Sequence, residues 1–248
     1  MKHNLTDSQV TETSSSSLRT SHHCDLSSCF LCRFSLPEWA AVIEANRVEL
    51  KFRKGQVIFE EGSEVKGMYF VTSGLVKVHK HWGASKELII RFATGGEVFG
   101  HRGFGNERIF PITATALAPT TVCHVDLTFF ESSLKVNTQL AFQFMVFLAN
   151  ELQESEKNMR DLVHMPVKGR IALTLLKLLE KFGTDKNGFI NVSLARQDVA
   201  SYAGTTYETV FRVVSSLEEE QLISTQGKLF KVLDPVGLNE YTRIPKEE

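Results

Sequence analysis

The four cysteines of this 248-residue chain are the residues whose type and spacing point most directly to chemistry. Three lie close together near the N-terminus, at Cys24, Cys29 and Cys32, and the fourth is Cys123. The chain has no apolar stretch typical of a signal peptide, so thiols grouped in this way favour metal or redox chemistry over structural disulfides. Four thiolates suffice for one iron–sulfur cluster.

A second set of residues has the pattern of a DNA-reading surface. The run from Ser193 to Ser224 predicts two short helices joined by a turn, with Ala200 at their crossing and Gly204 free to adopt a positive φ. The second helix has an apolar face formed by Val210, Val213 and Leu217. Thr205 or Thr206 can cap that helix, whose start is where a recognition helix meets base edges. The candidate DNA contacts there are Thr206, Tyr207, Glu208, Phe211 and Arg212.

Residues 224–232 follow as two β-prone pieces around a glycine turn, which predicts a hairpin wing with Lys228 as a further DNA contact. The net charge of −1 gives no support to a globally basic surface. Any basic face must therefore be local. Its candidates are Lys168, Arg170, Arg196, Arg212, Lys228 and Lys231.

Upstream elements must position these residues. Between residues 48 and 126, short strand-like runs alternate with glycine turns, which predicts an antiparallel β-roll of the double-stranded β-helix or jelly-roll type. From Leu127 to about Val163 the pattern becomes helical, and Pro166 with Gly169 is expected to end this helix and form a hinge. The predicted fold class is α+β: a β-roll, a long dimerisation helix and a C-terminal winged helix-turn-helix.

The predicted long helix has apolar residues at alternating spacings of three and four, which is typical of a coiled-coil seam. The seam consists of Met145, Leu148, Leu152, Ser155, Met159 and Leu162. Aromatic side chains on its other faces, Phe142, Phe144 and Phe147, are expected to pack on the roll. A seam of this kind predicts a homodimer.

These patterns divide the chain into four parts. We expect a flexible N-terminal arm over residues 1–36, the β-roll sensor domain over 37–130, the dimerisation helix over 131–165 and the winged helix-turn-helix domain over 166–248. No segment has the run of roughly 18 apolar residues that a membrane span needs, so we expect a cytoplasmic protein without a membrane partner. No nucleophile with an aligned base, P-loop or carboxylate pair indicates an enzyme.

The order of these elements resembles the CRP/FNR family of bacterial transcription regulators, over about residues 37–238. The resemblance is carried by EEGSEVKGMYFVTSGLVKV from Glu60 to Val78, by GEVFG from Gly96 to Gly100 and by YETVFR from Tyr207 to Arg212. It implies a homodimer that binds a roughly palindromic promoter site in double-stranded DNA and contacts RNA polymerase. Two-fold symmetry leads to the same expectation, because the two recognition helices of a dimer must enter successive major grooves about one turn of the DNA helix apart.

The resemblance also implies roles for particular residues. Glu208 and Arg212 match the family's base-reading positions, and an arginine fork fits guanine while a carboxylate accepts from cytosine. Ile109 and Phe110 stand where the cyclic-nucleotide branch has an Arg-Ser pair for the phosphate, so cAMP is not expected as effector. Arg102 and Arg108 lie near enough for a shifted alignment to restore anion binding.

In the FNR branch, three N-terminal cysteines and one in the roll hold an oxygen-labile [4Fe–4S] cluster, and Cys123 matches the roll position. The resemblance thus implies a cluster on Cys24, Cys29, Cys32 and Cys123. The C-x4-C-x2-C spacing differs from the spacing usual in that branch and equals the spacing of the first three ligands in plant-type [2Fe–2S] proteins. The resemblance favours [4Fe–4S], and the number of irons stays open.

Alternatives remain at the sensor and at the output. The same cysteines could hold zinc, alone or together with His22 or His23, or could form a thiol–disulfide switch. A small effector could also bind in the roll. The whole chain could instead be a regulatory ligand-binding module that does not contact DNA. His79, His81 and Trp82 are expected to form a solvated hairpin tip rather than a metal site.

Overall fold

The computed structural model describes residues 27–83 and 86–243, so Cys24, His22 and His23 lie outside the described residues. The helices are α1 (Phe30–Phe34), α2 (Ala40–Asn46), α3 (Leu127–Val136), α4 (Thr138–His164), α5 (Val167–Phe182), α6 (Arg196–Ala203), α7 (Tyr207–Glu219) and α8 (Pro235–Glu240). The strands are β1 (Arg47–Phe52), β2 (Val57–Phe59), β3 (Gly67–Ser73), β4 (Leu75–Trp82), β5 (Lys86–Thr94), β6 (Val98–Phe99), β7 (Thr113–Ala116), β8 (Thr120–Asp126), β9 (Ile223–Gln226) and β10 (Leu229–Val232). None of the described helices combines the length and the apolar character that crossing a membrane requires.

Strands β1 to β8 form the expected antiparallel β-roll. One four-stranded sheet has the order β1-β8-β3-β6 and the other has the order β2-β7-β4-β5. The short strand β6, which the sequence pattern did not predict, pairs with β3 through Tyr69 and Phe99. Apolar side chains of both sheets meet inside the roll, where Val76 and Val122 are fully buried.

The segment after the roll consists of two helices, so the prediction of one continuous helix from Leu127 is wrong. Asn137 separates α3 from α4, with φ −101° and ψ 89°. Its side-chain nitrogen donates to the Ser133 carbonyl at 2.9 Å, and its side-chain oxygen accepts from the Leu36 N–H at 2.7 Å. Asparagine side chains compete in this way with the backbone bonds of a helix. The long helix therefore begins at Thr138.

The transition from α4 to α5 differs from the expected hinge. Pro166 precedes α5 with an extended backbone, which confirms that the preceding helix ends before it. Gly169, however, lies inside α5. A Cβ on Gly169 would lie only 2.4 Å from the Tyr241 carbonyl oxygen, so this glycine permits close packing rather than bending.

The C-terminal domain is a winged helix-turn-helix, as predicted. Helix α6 ends at Ala203 and is capped by Gly204, whose φ of 63° is left-handed, and α7 begins at Tyr207. Ala200 is fully buried at the crossing of α6 and α7, where its small side chain lets them approach. Strands β9 and β10 pair as the wing. The local pattern of small, turn-forming and apolar residues thus determines this domain.

The C-terminal domain packs directly on the roll. Leu75, Ile89 and Phe92 of the roll share one apolar cluster with α5, α6 and α7, and the rings of Phe92 and Tyr202 lie 4.9 Å apart between centroids. Helix α6 therefore contacts strand β5 as well as its helix-turn-helix partner.

Candidate DNA-binding surface and sensor region

Helix α7 presents a contiguous exposed surface opposite its buried face. Thr206 caps the helix, since its hydroxyl accepts from the Thr209 N–H at 3.3 Å. The buried face consists of Val210, Val214 and Leu217, with Val213 only partly covered. The predicted DNA contacts on this helix are all exposed: Thr206, Tyr207, Glu208, Phe211 and Arg212. The structure therefore brings them together on one accessible surface.

The candidate basic face is smaller than the sequence suggested, because four of its six side chains make contacts with other residues of the C-terminal domain. Lys168 pairs with Glu220, Arg170 donates to the carbonyls of Ala203, Gly204 and Met165, Arg196 lies over the Phe230 ring, and Lys231 donates to the Asn187 carbonyl. The other two, Arg212 on α7 and Lys228 at the wing, are exposed. These two residues are the cations of that set best placed to meet DNA.

Three of the four predicted thiol ligands lie in one part of the structure. Cys29 precedes α1, Cys32 lies within α1, and Cys123 lies on β8 opposite Phe70 of β3. Cys29 and Cys123 are buried in one apolar cluster, and Cys32 is partly buried against the same cluster. The fold thus gathers residues that are distant in sequence. Cys24 lies outside the described residues.

Helix α1 is anchored both to the roll and to α4. The Phe30 N–H donates to the Gly96 carbonyl at 3.1 Å, and a Cβ on Gly96 would lie 2.5 Å from the Ser28 carbonyl oxygen. The Phe30 ring contacts Phe144 and Phe147 of α4, at 6.4 and 5.6 Å between centroids. The cysteine-bearing segment therefore lies against the N-terminal half of α4.

The donor set in this region fits an iron–sulfur cluster. Such clusters are held by cysteine thiolates, and burial among apolar side chains limits solvent access to them. Cys29 and Cys123 meet both conditions, since they are buried in the apolar cluster that contains Leu31, Phe70 and Phe130, and Cys32 is partly buried against that cluster. The residues present are thus of the type and burial that the predicted group requires.

The interior of the roll is filled by aromatic rings at the place predicted for the cyclic-nucleotide phosphate. Phe110 is 1% exposed and stacks on Phe59 at 3.8 Å between centroids, and Phe99 packs beside Phe59 at 6.0 Å. Ile109 is turned outward. Stacked rings, rather than a cation, therefore occupy the position that the family resemblance assigned to the phosphate.

The two arginines that a shifted alignment would use are held elsewhere. Arg102 pairs with Glu151 at 3.1 Å, and Arg108 pairs with Glu131 at 2.9 Å. A phosphate would have to replace a carboxylate at either site. Their positions therefore give no support to anion binding inside the roll.

The predicted dimer seam is largely uncovered in the single chain. Met145, Leu152 and Met159 are each more than 60% exposed, Leu162 is also exposed, and Leu148 and Ser155 are partly covered. On the other faces, Phe144 and Phe147 pack on the roll as expected, whereas Phe142 is exposed and the prediction for it is wrong. An apolar strip of this kind on a long helix is typical of an interaction surface.

The C-terminal half of the seam borders a cavity of about 460 Å³ between α4, α5, α6 and β5. Ser155, Met159 and Leu162 line one side of this cavity, and Tyr202 and Ala203 line another. A Cβ on Gly204 would lie 2.3 Å from the Leu162 side chain. The seam and the helix-turn-helix are thus in direct contact.

An ionic network that the sequence analysis missed links the three structural parts. Glu151 on α4 contacts Arg91 at 3.0 Å and Arg102 at 3.1 Å, and Arg91 also contacts Glu97 at 3.0 Å. Glu97 in turn pairs with Lys181 of α5. Burial raises the pKa of Glu151, but the nearby His101 imidazole and the charges of Arg91 and Arg102 outweigh it and lower that pKa to about 2. No short motif marks these residues, because the contacts join distant segments.

Comparison with known proteins agrees with this architecture. Residues 49–137 match the cyclic nucleotide-binding domain family and residues 169–241 match the Crp-like helix-turn-helix domain family. The chain is 27% identical over 232 residues to the anaerobic regulatory protein of Pasteurella multocida, covering 90% of this chain and 84% of that protein. It is 24% identical over 209 residues to the CRP-like cAMP-activated global transcriptional regulator of Mycobacterium tuberculosis, covering 84% and 93%.

Among solved structures, FixK2 from Bradyrhizobium japonicum superposes with a TM-score of 0.72. The two chains are 24% identical, and the match covers 80% of this chain and 98% of FixK2. At that identity the similarity establishes a shared fold.

Proposed function

The chain belongs to the CRP/FNR family of bacterial transcription regulators, and we propose that it acts as a homodimer switched by an oxygen- or redox-sensitive iron–sulfur cluster rather than by cAMP. Members of this family are transcription regulators and not enzymes. The proposal concerns three finer points: which residues contact DNA, how the subunits pair and what the protein senses.

The exposed start of α7 supports sequence-specific DNA binding. Arg212 and Glu208 are one helical turn apart on the same exposed surface, where an arginine fork can meet guanine and a carboxylate can meet cytosine. Tyr207 and Phe211 add exposed rings beside them. We assign Thr206, Tyr207, Glu208, Phe211, Arg212 and, at the wing, Lys228 to the DNA contact.

The exposed seam of α4 supports a symmetric dimer. Two copies that pair their seams would relate their α7 helices by a two-fold axis, which suits a palindromic promoter site in double-stranded DNA. Contact with RNA polymerase at such a promoter is part of the same proposal. Burial of Met145, Leu152 and Met159 would then provide the apolar stabilisation that the single chain lacks.

The observation that carries the sensor proposal is the burial of Cys29, Cys32 and Cys123 in one cluster beside α4. We assign these three residues and Cys24 as cluster ligands, with [4Fe–4S] favoured over [2Fe–2S]. When bound, the cluster would supply oxygen-labile links between thiolates of the N-terminal segment and the thiolate on β8. The same thiols could hold zinc, which is the alternative outcome of the test below.

The chain's own residues connect this region to the dimer. Phe30 lies between the cysteine-bearing segment and the Phe144 and Phe147 rings of α4. When α1 is held in place, these contacts fix the N-terminal half of α4 and keep the seam aligned. When α1 is released, the buried face of Phe144 loses its cover, and we expect the seam to pair less tightly. A monomer presents only one recognition helix and binds a palindromic site weakly.

The test is the metal content of protein purified without air. We expect broad visible absorbance, with about four irons per chain for the larger cluster or about two for the smaller, and bleaching by air. Cys32→Ser should lose the absorbance, and Ser28→Ala, which changes an exposed neighbour, should keep it. Anaerobic wild type should shift a palindromic duplex in a gel, and air-exposed protein should shift it at least 10-fold less.

Two results would overturn the sensor proposal. One is iron-free protein that carries about one zinc per chain through Cys32, which would favour the zinc site. The other is a cluster whose loss leaves dimerisation and DNA binding unchanged. Adding cAMP to the wild type should change neither property, and a cAMP-dependent gel shift would contradict the interpretation of the filled roll.

A further inference from the structure

Strands β4 and β5 bring two imidazoles and a carboxylate together on the outer face of the roll. His79 and His81 are two residues apart on β4 and therefore lie on one face, and His81 pairs directly with Glu87 across the sheet. The expected solvated tip is correct for Trp82, which is exposed, and wrong for His79, which is only 3% exposed. These residues are distinct from the four cysteines.

The three potential ligand atoms lie within 4.8 Å of one another, and the described residues contain no other such group of three or more. His79 Nδ1 is 2.9 Å and His81 Nε2 is 4.0 Å from the same carboxylate atom, Glu87 Oε2. The 2.9 Å approach pairs the buried His79 Nδ1 with this carboxylate, so a metal ion bound between them would take the place of the shared proton. The other ring nitrogen, Nε2, lies 2.9 Å from Thr115 Oγ1.

This arrangement has the chemistry of a metal site. Two imidazole nitrogens and one carboxylate oxygen are a ligand set that zinc and neighbouring divalent transition metals accept, with a remaining position for water. A histidine ligand normally has its second nitrogen hydrogen-bonded, which fixes the ring, and Thr115 can accept from Nε2–H of His79 in this role. His81 is half exposed, so an ion can enter from solvent.

We propose that His79, His81 and Glu87 form a binding site for a divalent transition-metal ion, with Zn²⁺ as the best-suited ion. The site goes beyond the proposed sensor function, because it uses none of the cysteines and lies on the other sheet of the roll from Cys123. Its ligands are two imidazoles and a carboxylate rather than thiolates.

Lys77 connects the proposed metal site to helix α6. Its ammonium lies 2.7 and 2.8 Å from the two Glu87 oxygens and 3.4 Å from Asp198 Oδ1 on α6. A metal ion on Glu87 Oε2 repels this ammonium and displaces it toward Asp198. Asp198 also accepts from the Ala195 N–H at the start of α6. Metal occupancy therefore strengthens the link between the hairpin and the first helix of the helix-turn-helix.

The first test is a zinc titration of the full chain by calorimetry. Wild type should bind one ion that His81→Gln loses or binds at least 10-fold more weakly. His164→Gln replaces an exposed histidine at the end of α4 and serves as the matched control, which should bind like wild type. Equal zinc binding by wild type and His81→Gln would overturn the proposal.

Two further measurements separate this site from the cysteines and from misfolding. With Co²⁺ in place of zinc, wild type should show cobalt absorbance that His81→Gln does not show. The thiolate-to-cobalt band in the near ultraviolet should be the same in both proteins, and its loss in His81→Gln would contradict the assignment. Lys77→Gln removes the competing cation and should bind zinc several-fold more tightly than wild type. Unchanged or weaker binding by this variant would also count against the site. The outcome is independent of whether an iron–sulfur cluster forms.

Discussion

At the scale of single residues, α7 and the wing contain residues that hold the fold together and others that are exposed to a partner. Thr206 caps the helix through the Thr209 N–H, and Val210 is fully buried beneath it. Arg212 and Lys228 are the two exposed cations of the predicted basic face. Thr206 and Val210 therefore serve the fold of α7, while the side chains of Arg212 and Lys228 are accessible to a partner.

Replacing the two exposed cations should have different effects. Arg212→Ala should weaken binding to a duplex selected for tight binding by about 10- to 100-fold and should relax base preference at one position per half-site, because one bidentate base contact contributes about 1–3 kcal/mol. Lys228→Ala should weaken binding to all sequences alike. It should also make the slope of log affinity against log salt concentration shallower by about one per subunit. Fluorescence anisotropy at several salt concentrations measures both.

Arg243→Ala is the matched control for these variants, since Arg243 is an exposed arginine that lies beyond the end of α8 and pairs with Glu240. It should bind DNA like wild type. Uniform weakening by Arg212→Ala without a change in base preference would show that Arg212 contacts phosphate only. Absence of any salt-dependent DNA band would favour a regulatory module that does not bind DNA.

At the scale of elements, α4 is the helix on which sensing and DNA binding both depend. Its N-terminal half buries Phe144 against the roll and α1, while Met145 and Leu152 point away from the chain's own core. Its C-terminal half contacts the turn of the helix-turn-helix through Leu162 and Gly204. A change in the pairing of α4 is thus positioned to reach the recognition helix.

Introducing a charge into the exposed seam should separate the dimer without unfolding the chain. Leu152→Glu places two carboxylates opposite each other across the two-fold axis, and Leu152 is 61% exposed in the single chain. We expect at least 10-fold weaker dimerisation in analytical ultracentrifugation, an unchanged melting temperature of the monomer and loss of the gel shift.

Val236→Glu makes the same change at an exposed apolar residue of α8 and should remain dimeric. If Leu152→Glu dimerises like wild type, the exposed strip of α4 is not the subunit interface. A dimer that persists but no longer binds DNA would instead indicate that the seam orients the two C-terminal domains.

At the scale of the whole molecule, charged contacts connect the roll, α4 and the C-terminal domain. Glu151 receives Arg91 and Arg102 from the roll, and Glu97 joins Arg91 to Lys181 of α5. Because Glu151 is ionised and partly buried, losing its charge leaves two arginines without their shared acceptor. The arrangement of the three parts should therefore depend on pH.

The pKa of Glu151 is lowered from the usual 4.5 to about 2, so its contribution to stability is present above pH 4.5 and is lost as the pH falls toward 2. We expect Glu151→Gln to be about 2 kcal/mol less stable than wild type near neutral pH, allowing for solvent screening. The difference should shrink as the pH falls through that range in urea unfolding experiments. Glu154→Gln, an exposed neighbour on α4, should change stability little. A difference independent of pH would contradict this account.

Much of the fold follows from local sequence patterns. Gly204 with the apolar residues of α7 specifies the helix-turn-helix, and alternating runs with glycine turns specify most strands of the roll. The two-residue strand β6 escaped prediction because so short a segment has no measurable periodicity. The break at Asn137 escaped it because the asparagine bonds to Leu36, about a hundred residues away.

The sequence by itself determined the order of the elements, the residues exposed on α7 and the apolar seam, because backbone preference and periodicity act over a few neighbouring residues. Only the tertiary structure decided that Cys29, Cys32 and Cys123 share one buried cluster, that His79 is buried beside Glu87, and that most of the predicted basic face is held internally. Those outcomes depend on contacts between segments far apart in the chain. Burial and ion pairing at each site are set by what the fold places opposite it, which no local pattern records.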